Sequence, residues 1–137
     1  MKKDLSNIKK AKYLLDNNHC VAIPTETVYG LAANAYSDKA TSKIFKLKKR
    51  PKSNPLIVHY SRVQDLIKDC EINSNFQKLY SKFCPGPLTF VLKLKKESKI
   101  SKNVTNRKNT LAVRFPKNLV TRNLLSYLKY PLAAPSA

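Results

Sequence analysis

PTETVYGL, residues 24–31, and KLKKRPKSNPLIVH, residues 46–59, decide how this chain is read. Each joins an apolar run to polar residues of a restricted kind. The first sets Thr25, Glu26, Thr27 and Tyr29 directly after the strand-like segment Cys20–Pro24. The second gathers Lys48, Lys49, Arg50 and Lys52 around Pro51 and then enters the strand-like segment Leu56–Tyr60. A hydroxyl-bearing loop beside a cationic loop suits a polyphosphate-handling site. Lys gives phosphate a compact charge and Arg gives it a planar fork.

Outward from these stretches, strands and helices alternate. Ser6 can cap a helix running to about Asn17, with Leu5, Ile8, Ala11 and Leu15 at helical spacing. Asp38 can cap a second helix, with Ala40, Ile44 and Leu47 on one face, and Pro51 stops it because the residue before proline is pushed out of α geometry. Arg62–Asp69 and Ser74–Phe83 read as short helices, the second with an apolar stripe of Phe76, Leu79, Tyr80 and Phe83 assigned to the core. Pro85-Gly86-Pro87 is a stiff turn ahead of a strand over Leu88–Lys95. Lys95–Asn109 reads as a polar, basic loop, Thr110–Phe115 as a strand, and Asn118 as the cap of a helix to about Leu128 with Val120, Leu124 and Leu128 on one face. Leu132–Pro135 begins another strand. The pattern predicts one α/β domain over residues 1–137, a sheet with helices packed on it. The order of its strands is not legible from it.

Composition narrows the class. No apolar run approaches the roughly 18 residues of a membrane span, and no apolar stretch follows the charged N-terminus as a secretory signal requires. Cys20, Cys70 and Cys84 are odd in number and form no CxxC, which fits reduced thiols in a cytoplasmic compartment. The net charge is +19. Eight bases and no acid lie from Lys39 to Arg62, and eleven bases against Glu97 alone lie from Lys93 to Lys129. Such an imbalance concentrates anions near the surface. The alternative is a solvated face produced by compositional drift, since 22 of the 27 bases are Lys. With only two glycines, Gly30 and Gly86 are expected where positive φ or a close backbone approach requires them.

Several chemistries are excluded. There is no GxxxxGK[ST] loop, no GxGxxG and no metal-ligand spacing of His, Cys and Asp. Among eight carboxylates only Glu26 lies in a motif, which argues against a protease or glycosidase. Positioning chemistry remains: nucleotidyl transfer depends on placement and charge stabilisation more than on covalent protein groups. Lys48 and Arg50 can reach one triphosphate. Arg114 lies within the apolar strand Leu111–Phe115 and needs either an anionic partner or an outward-facing edge position. His59 ends the strand after the basic loop and is a candidate to line a site, whereas His19 reads as structural or exposed.

Five segments in register, PTETVYGL (24–31), KKRPKSNPLIVH (48–59), CPGPLTFVL (84–92), TLAVRFP (110–116) and PLAAPSA (131–137), resemble the YrdC-like threonylcarbamoyl-AMP synthase family over essentially the whole chain. The resemblance implies a YrdC-like twisted mixed sheet with packed helices and a basic concave groove. The implied activity is that of a nucleotidyltransferase. It joins L-threonine, bicarbonate and ATP, usually with Mg2+, into L-threonylcarbamoyladenylate and pyrophosphate, for modification of the tRNA adenosine beside the anticodon. Downstream threonylcarbamoyl-transfer proteins are implied as partners. Carried over by position, Lys48, Arg50 and Asn54 are implied to contact ATP, with Lys48 and Arg50 catalytic and Thr110 and Ser136 helping to hold the nucleotide. Thr27, His59, Arg114 and the backbone near Ala134 are implied to surround threonine, with Arg114 on its carboxylate. Thr25 and Tyr29 shape the same loop, and no residue is implied as a metal ligand. The family pattern continues past PSA with an Asn and then Ser-Gly and Ser-Pro-Thr. The resemblance therefore implies a domain incomplete at its C-terminus, with Leu132–Pro135 left as an uncovered apolar edge.

Two other classes stay open. One is an RNA-binding module of the same fold, holding tRNA or double-stranded RNA without chemistry. The other is a non-catalytic YrdC-like fragment or a carbamoyl-transfer domain of the hydrogenase-maturation sort. Joint binding of ATP and threonine marks the enzyme; salt-sensitive RNA binding indifferent to both marks the module.

Overall fold

The computed structural model describes residues 2–26 and 29–135. Among the described residues six strands form one sheet: β1 (Val21–Pro24), β2 (Tyr29–Asn34), β3 (Ile57–His59), β4 (Gly86–Lys93), β5 (Thr110–Phe115) and β6 (Leu132–Ala134). Their order across the sheet is β1-β2-β6-β3-β5-β4. β3 and β5 run parallel, and every other neighbouring pair is antiparallel. The helices are α1 (Lys2–Asp16), α2 (Asp38–Lys48), α3 (Val63–Leu66), α4 (Ser74–Phe83), α5 (Lys102–Thr105) and α6 (Leu119–Tyr127). The expected α/β class, a mixed sheet with packed helices, is observed.

Two cores flank the sheet. On one face Val58, Leu111, Val113, Phe115 and Ala133 pack with Ile44 and Phe45 of α2, Phe76 of α4 and Val104 of α5. Phe76, Tyr80, Phe90 and Phe115 form an aromatic cluster there, with Tyr80 edge-on to Phe115 at 4.9 Å. On the other face Ile23, Ala32, Leu132 and Ala134 pack with Ile8 and Leu15 of α1 and Leu124 and Leu125 of α6. α1 and α6 reach β1, β2 and β6 on this face.

Several expectations shift. α1 starts at Lys2, so Ser6 lies inside the helix rather than capping it. Ser37 caps α2, its Oγ accepting from Ala40 N at 3.0 Å, and Asp38 is the first helical residue. β2 pairs with β1 as a hairpin across the PTETVYG loop, a strand the sequence did not disclose because LAAN carries no alternation. Arg62–Asp69 holds only the single turn of α3. The expected loop 95–109 contains α5, and its Ile100 and Val104 belong to the core. Leu79 and Phe83 of the α4 stripe are exposed. In α6, Thr121, Leu124 and Leu125 form the buried face, while Val120 is 55% exposed. Leu132–Ala134 is no edge: it is fully enclosed between β2 and β3. Neither glycine has positive φ. Gly86 does need its missing side chain, since a Cβ there would sit 2.7 Å from the Phe83 carbonyl oxygen.

Asn118 caps α6 as expected, its Oδ1 accepting from Val120 N at 3.0 Å and Thr121 N at 3.3 Å. Asn118→Ala should lower stability by about 1 kcal/mol, seen as a lower urea midpoint with an unchanged slope. An unchanged midpoint would remove the cap from the account of this helix.

Candidate functional site

β5 alternates cleanly. Leu111, Val113 and Phe115 are buried in the aromatic core, while Thr110 is exposed and Ala112 and Arg114 are half-buried on the opposite face. The register carries that face across the sheet: Ile57 pairs with Ala112 and with Ala134, and His59 pairs with Arg114. Since paired residues share a face, Ile57, His59, Thr110, Ala112, Arg114 and Ala134 form one surface. In β4 this surface continues into Val91, which is 69% exposed. The far half of the face, over β1, β2 and β6, is covered by α1 and α6. What remains open is the strip of that face along β3 and β5, the candidate groove. At about 3.3 Å per residue, it runs about 13 Å from Thr110 to Arg114.

Most of the predicted residues that are described fall toward its two ends, with Ala134 between them, level with Ile57 and Ala112. The basic loop leads from α2 into the start of β3, so Lys48, Arg50 and Asn54 belong to the same end as Thr110. Lys48 and Asn54 are exposed. Lys49 takes a left-handed conformation (φ 50°) that turns the chain out of the helix. Arg50 folds onto its own loop, donating from Nε to the Asn54 carbonyl at 3.3 Å and from Nη2 to the Pro55 carbonyl at 2.8 Å. It therefore shapes the loop as well as charging it.

At the other end His59 and Arg114 stand in register on parallel strands. Residues 24–26 are tied close to this end. Glu26 accepts from Lys117 N at 2.5 Å, just beyond β5, and Thr121 Oγ1 of α6 donates to the Pro24 carbonyl at 2.5 Å. A Cβ on Gly30 would lie 3.6 Å from Ala134 Cβ and 3.7 Å from Thr25 Cγ2, so Thr25, Gly30 and Ala134 converge at one place. Thr27 and Ser136, both predicted from the sequence, lie outside the described residues.

His59 is 4% exposed, and its Nδ1 has no hydrogen-bond partner among the described residues. Burial, and then the Arg114 cation, lower its pKa to about 4, with Glu26 opposing. At neutral pH the ring is uncharged and offers a polar nitrogen that no described residue partners, beside the Arg114 cation. Arg114 Nε donates to Thr89 Oγ1 at 2.8 Å. Thr89 was not singled out in the sequence; its only signal there is its place after the Pro85-Gly86-Pro87 turn. Glu26, in contrast, was noted as the one carboxylate within a motif, and its observed part is to tether the loop.

A separate cavity of about 580 Å3 lies past the end of β3, lined by Tyr36, Tyr60, Arg62, Lys68, Lys129 and Tyr130 among others. It holds none of the predicted residues. Its buried acid, Asp69, accepts from Tyr36, Tyr60, Ser98 and the Lys99 backbone, a set that satisfies the carboxylate internally. The groove carries the functional reading, because the buried nitrogen without a partner among the described residues and the guanidinium held by Thr89 are there.

The Sua5/YciO/YrdC family profile, described as telomere recombination, matches residues 13–137. The threonylcarbamoyl-AMP synthase of Pyrococcus abyssi is 40% identical over 131 residues, which is 95% of this chain and 38% of the relative. That of Bacillus subtilis is 41% identical over 133 residues, again 95% of this chain and 38% of the relative. The chain thus spans about two fifths of the length of these curated relatives. The crystal structure of P. abyssi Sua5 complexed with L-threonine superposes with a TM-score of 0.90 at 38% identity, over 96% of this chain and 38% of that one.

Proposed function

This chain belongs to the Sua5/YciO/YrdC family, and on that premise we propose that it takes part in L-threonylcarbamoyladenylate synthesis as a nucleotidyltransferase domain. L-Threonine, bicarbonate and ATP are the substrates, and pyrophosphate is released. The product serves threonylcarbamoyl modification of tRNA through downstream transfer proteins. The observation that carries the reading is the pairing of His59 with Arg114 at one end of a groove whose other end is the Lys48–Asn54 loop. One end suits an amino acid, the other a triphosphate, and the extended strands between them set the spacing.

Each group has a chemical task in this scheme. Arg114 holds the threonine carboxylate, and neutral His59 accepts a hydrogen bond from the same ligand without adding a second positive charge. The threonine amine adds to carbon dioxide formed by dehydration of bicarbonate and gives up a proton, and the carbamate oxygen attacks the α-phosphate of ATP as the α–β bond breaks and pyrophosphate leaves. Lys48 and Arg50 stabilise the charge that builds on the phosphates; Asn54, Thr110 and Ser136 hold the nucleotide; Thr27 and Ala134 enclose threonine. No protein nucleophile is required. Among the described residues no group of three or more His, Cys, Asp or Glu has the geometry to hold a metal ion. Mg2+ in this scheme would accompany ATP and would supply charge screening on the phosphates, beside Lys48 and Arg50. No helix of the described residues is long and apolar enough to cross a membrane.

Pyrophosphate release should require ATP, L-threonine and bicarbonate together. Lys48→Ala should lower the rate by about tenfold, the effect of losing about 1.4 kcal/mol of transition-state stabilisation. Equal release with threonine omitted overturns the reading. RNA binding without chemistry is the second outcome of the same experiment: tRNA affinity that falls steeply with salt and ignores both ATP and threonine would favour it.

A further inference from the structure

We propose that Thr89 is a positioning residue that fixes the Arg114 guanidinium so that its two terminal nitrogens, and not Nε, face the ligand carboxylate. The inference rests on the reading that Arg114 holds that carboxylate. It begins with an irregularity in β4. Gly86 pairs with Phe115 and Phe90 pairs with Val113, so Pro87, Leu88 and Thr89 together stand opposite Arg114 alone. A regular antiparallel ladder would set one residue there. Bulges of this kind re-aim a side chain and gather at functional sites.

The extra residues deliver a hydroxyl to Arg114. Phe90 points into the aromatic core, whereas Thr89 meets Arg114, which lies on the groove face. Its Oγ1 accepts from Arg114 Nε at 2.8 Å. The irregular stretch starts from a fixed point, because the Gly86 Cα sits where any side chain would strike the Phe83 carbonyl.

The consequence is chemical. A guanidinium can grip a carboxylate side-on through Nε and one terminal nitrogen, or end-on through both terminal nitrogens. With Nε engaged by Thr89, the end-on mode remains. Without Thr89 the guanidinium is free to swing, and it would move relative to His59, whose register partner it is.

Thr89→Val, isosteric but without the acceptor, and Thr89→Ser, which restores it, test the assignment by calorimetry with L-threonine and with L-threonine amide. The Val variant should bind L-threonine about tenfold more weakly while its affinity for the amide changes little, and the Ser variant should recover to within about twofold of the parent. The ring signals of His59, one of two histidines, should move in the ligand-free Val variant and return in the Ser variant. Unchanged threonine affinity in the Val variant, or equal weakening of acid and amide, overturns the positioning role. If the parent chain does not distinguish acid from amide, the carboxylate reading of Arg114 fails instead. In that case unmoved His59 signals in the ligand-free Val variant would separately show that Thr89 does not set Arg114.

Discussion

Arg114→Ala should weaken L-threonine binding by about a hundredfold and leave ATP binding nearly unchanged. Two charge-assisted hydrogen bonds from one planar fork are lost together, and about 2.7 kcal/mol corresponds to that factor. Arg114→Lys should fall between, weakening threonine by about tenfold, because Lys retains the charge and loses the fork. The selectivity follows from place. Arg114 lies about 13 Å along β5 from Thr110, near the PTET loop and away from the Lys48–Asn54 loop. Calorimetric titration of each ligand checks it. Equal threonine affinity in parent and Ala variant would return Arg114 to a structural role as the partner of Thr89. Equal weakening of threonine and ATP would mean that the groove does not divide its ligands end from end.

The parts of this arrangement that depend on local chemistry were legible in the sequence, and the parts that depend on pairing were not. Thr110–Phe115 reads as a strand with Arg114 among apolar neighbours, and the structure has the same strand with Arg114 on its open face. Asn118 and Pro51 act as the local rules require, one capping α6 and the other following the left-handed exit from α2. The partnership of His59 with Arg114 needs the parallel register of β3 with β5, separated by fifty residues that include an antiparallel strand. No local pattern specifies that. Leu132–Ala134 shows the same limit from the other side. Its apolar run reads as a strand, yet only the sheet order places it between β2 and β3 rather than at an edge. Thr89 was illegible for a third reason: a bulge breaks the alternation on which strand reading depends.

Folding stability should fall as the pH drops from about 6.5 to about 4, and His59→Gln should remove most of that dependence. The imidazole has an ordinary pKa of 6.5 and is lowered to about 4 in the fold, by burial first and by Arg114 second. Between those values the unfolded chain binds a proton at His59 that the folded chain does not, so stability rises with pH across the window and falls when acid is added. Above about 6.5 the ring is neutral in both states and contributes no slope. Below about 4 it is protonated in both, and the loss levels off at roughly 3 kcal/mol. Asp16, whose carboxyl is held below its ordinary value by Lys12 and Tyr130, titrates at the acid end and leaves the upper part of the window to His59. Urea titrations of parent and variant at pH 7, 5.5 and 4 decide the matter. Parallel pH profiles would mean that protonated His59 is accommodated in the fold, through water or through Glu26, and would undo the claim that the groove keeps this ring neutral beside a fixed cation.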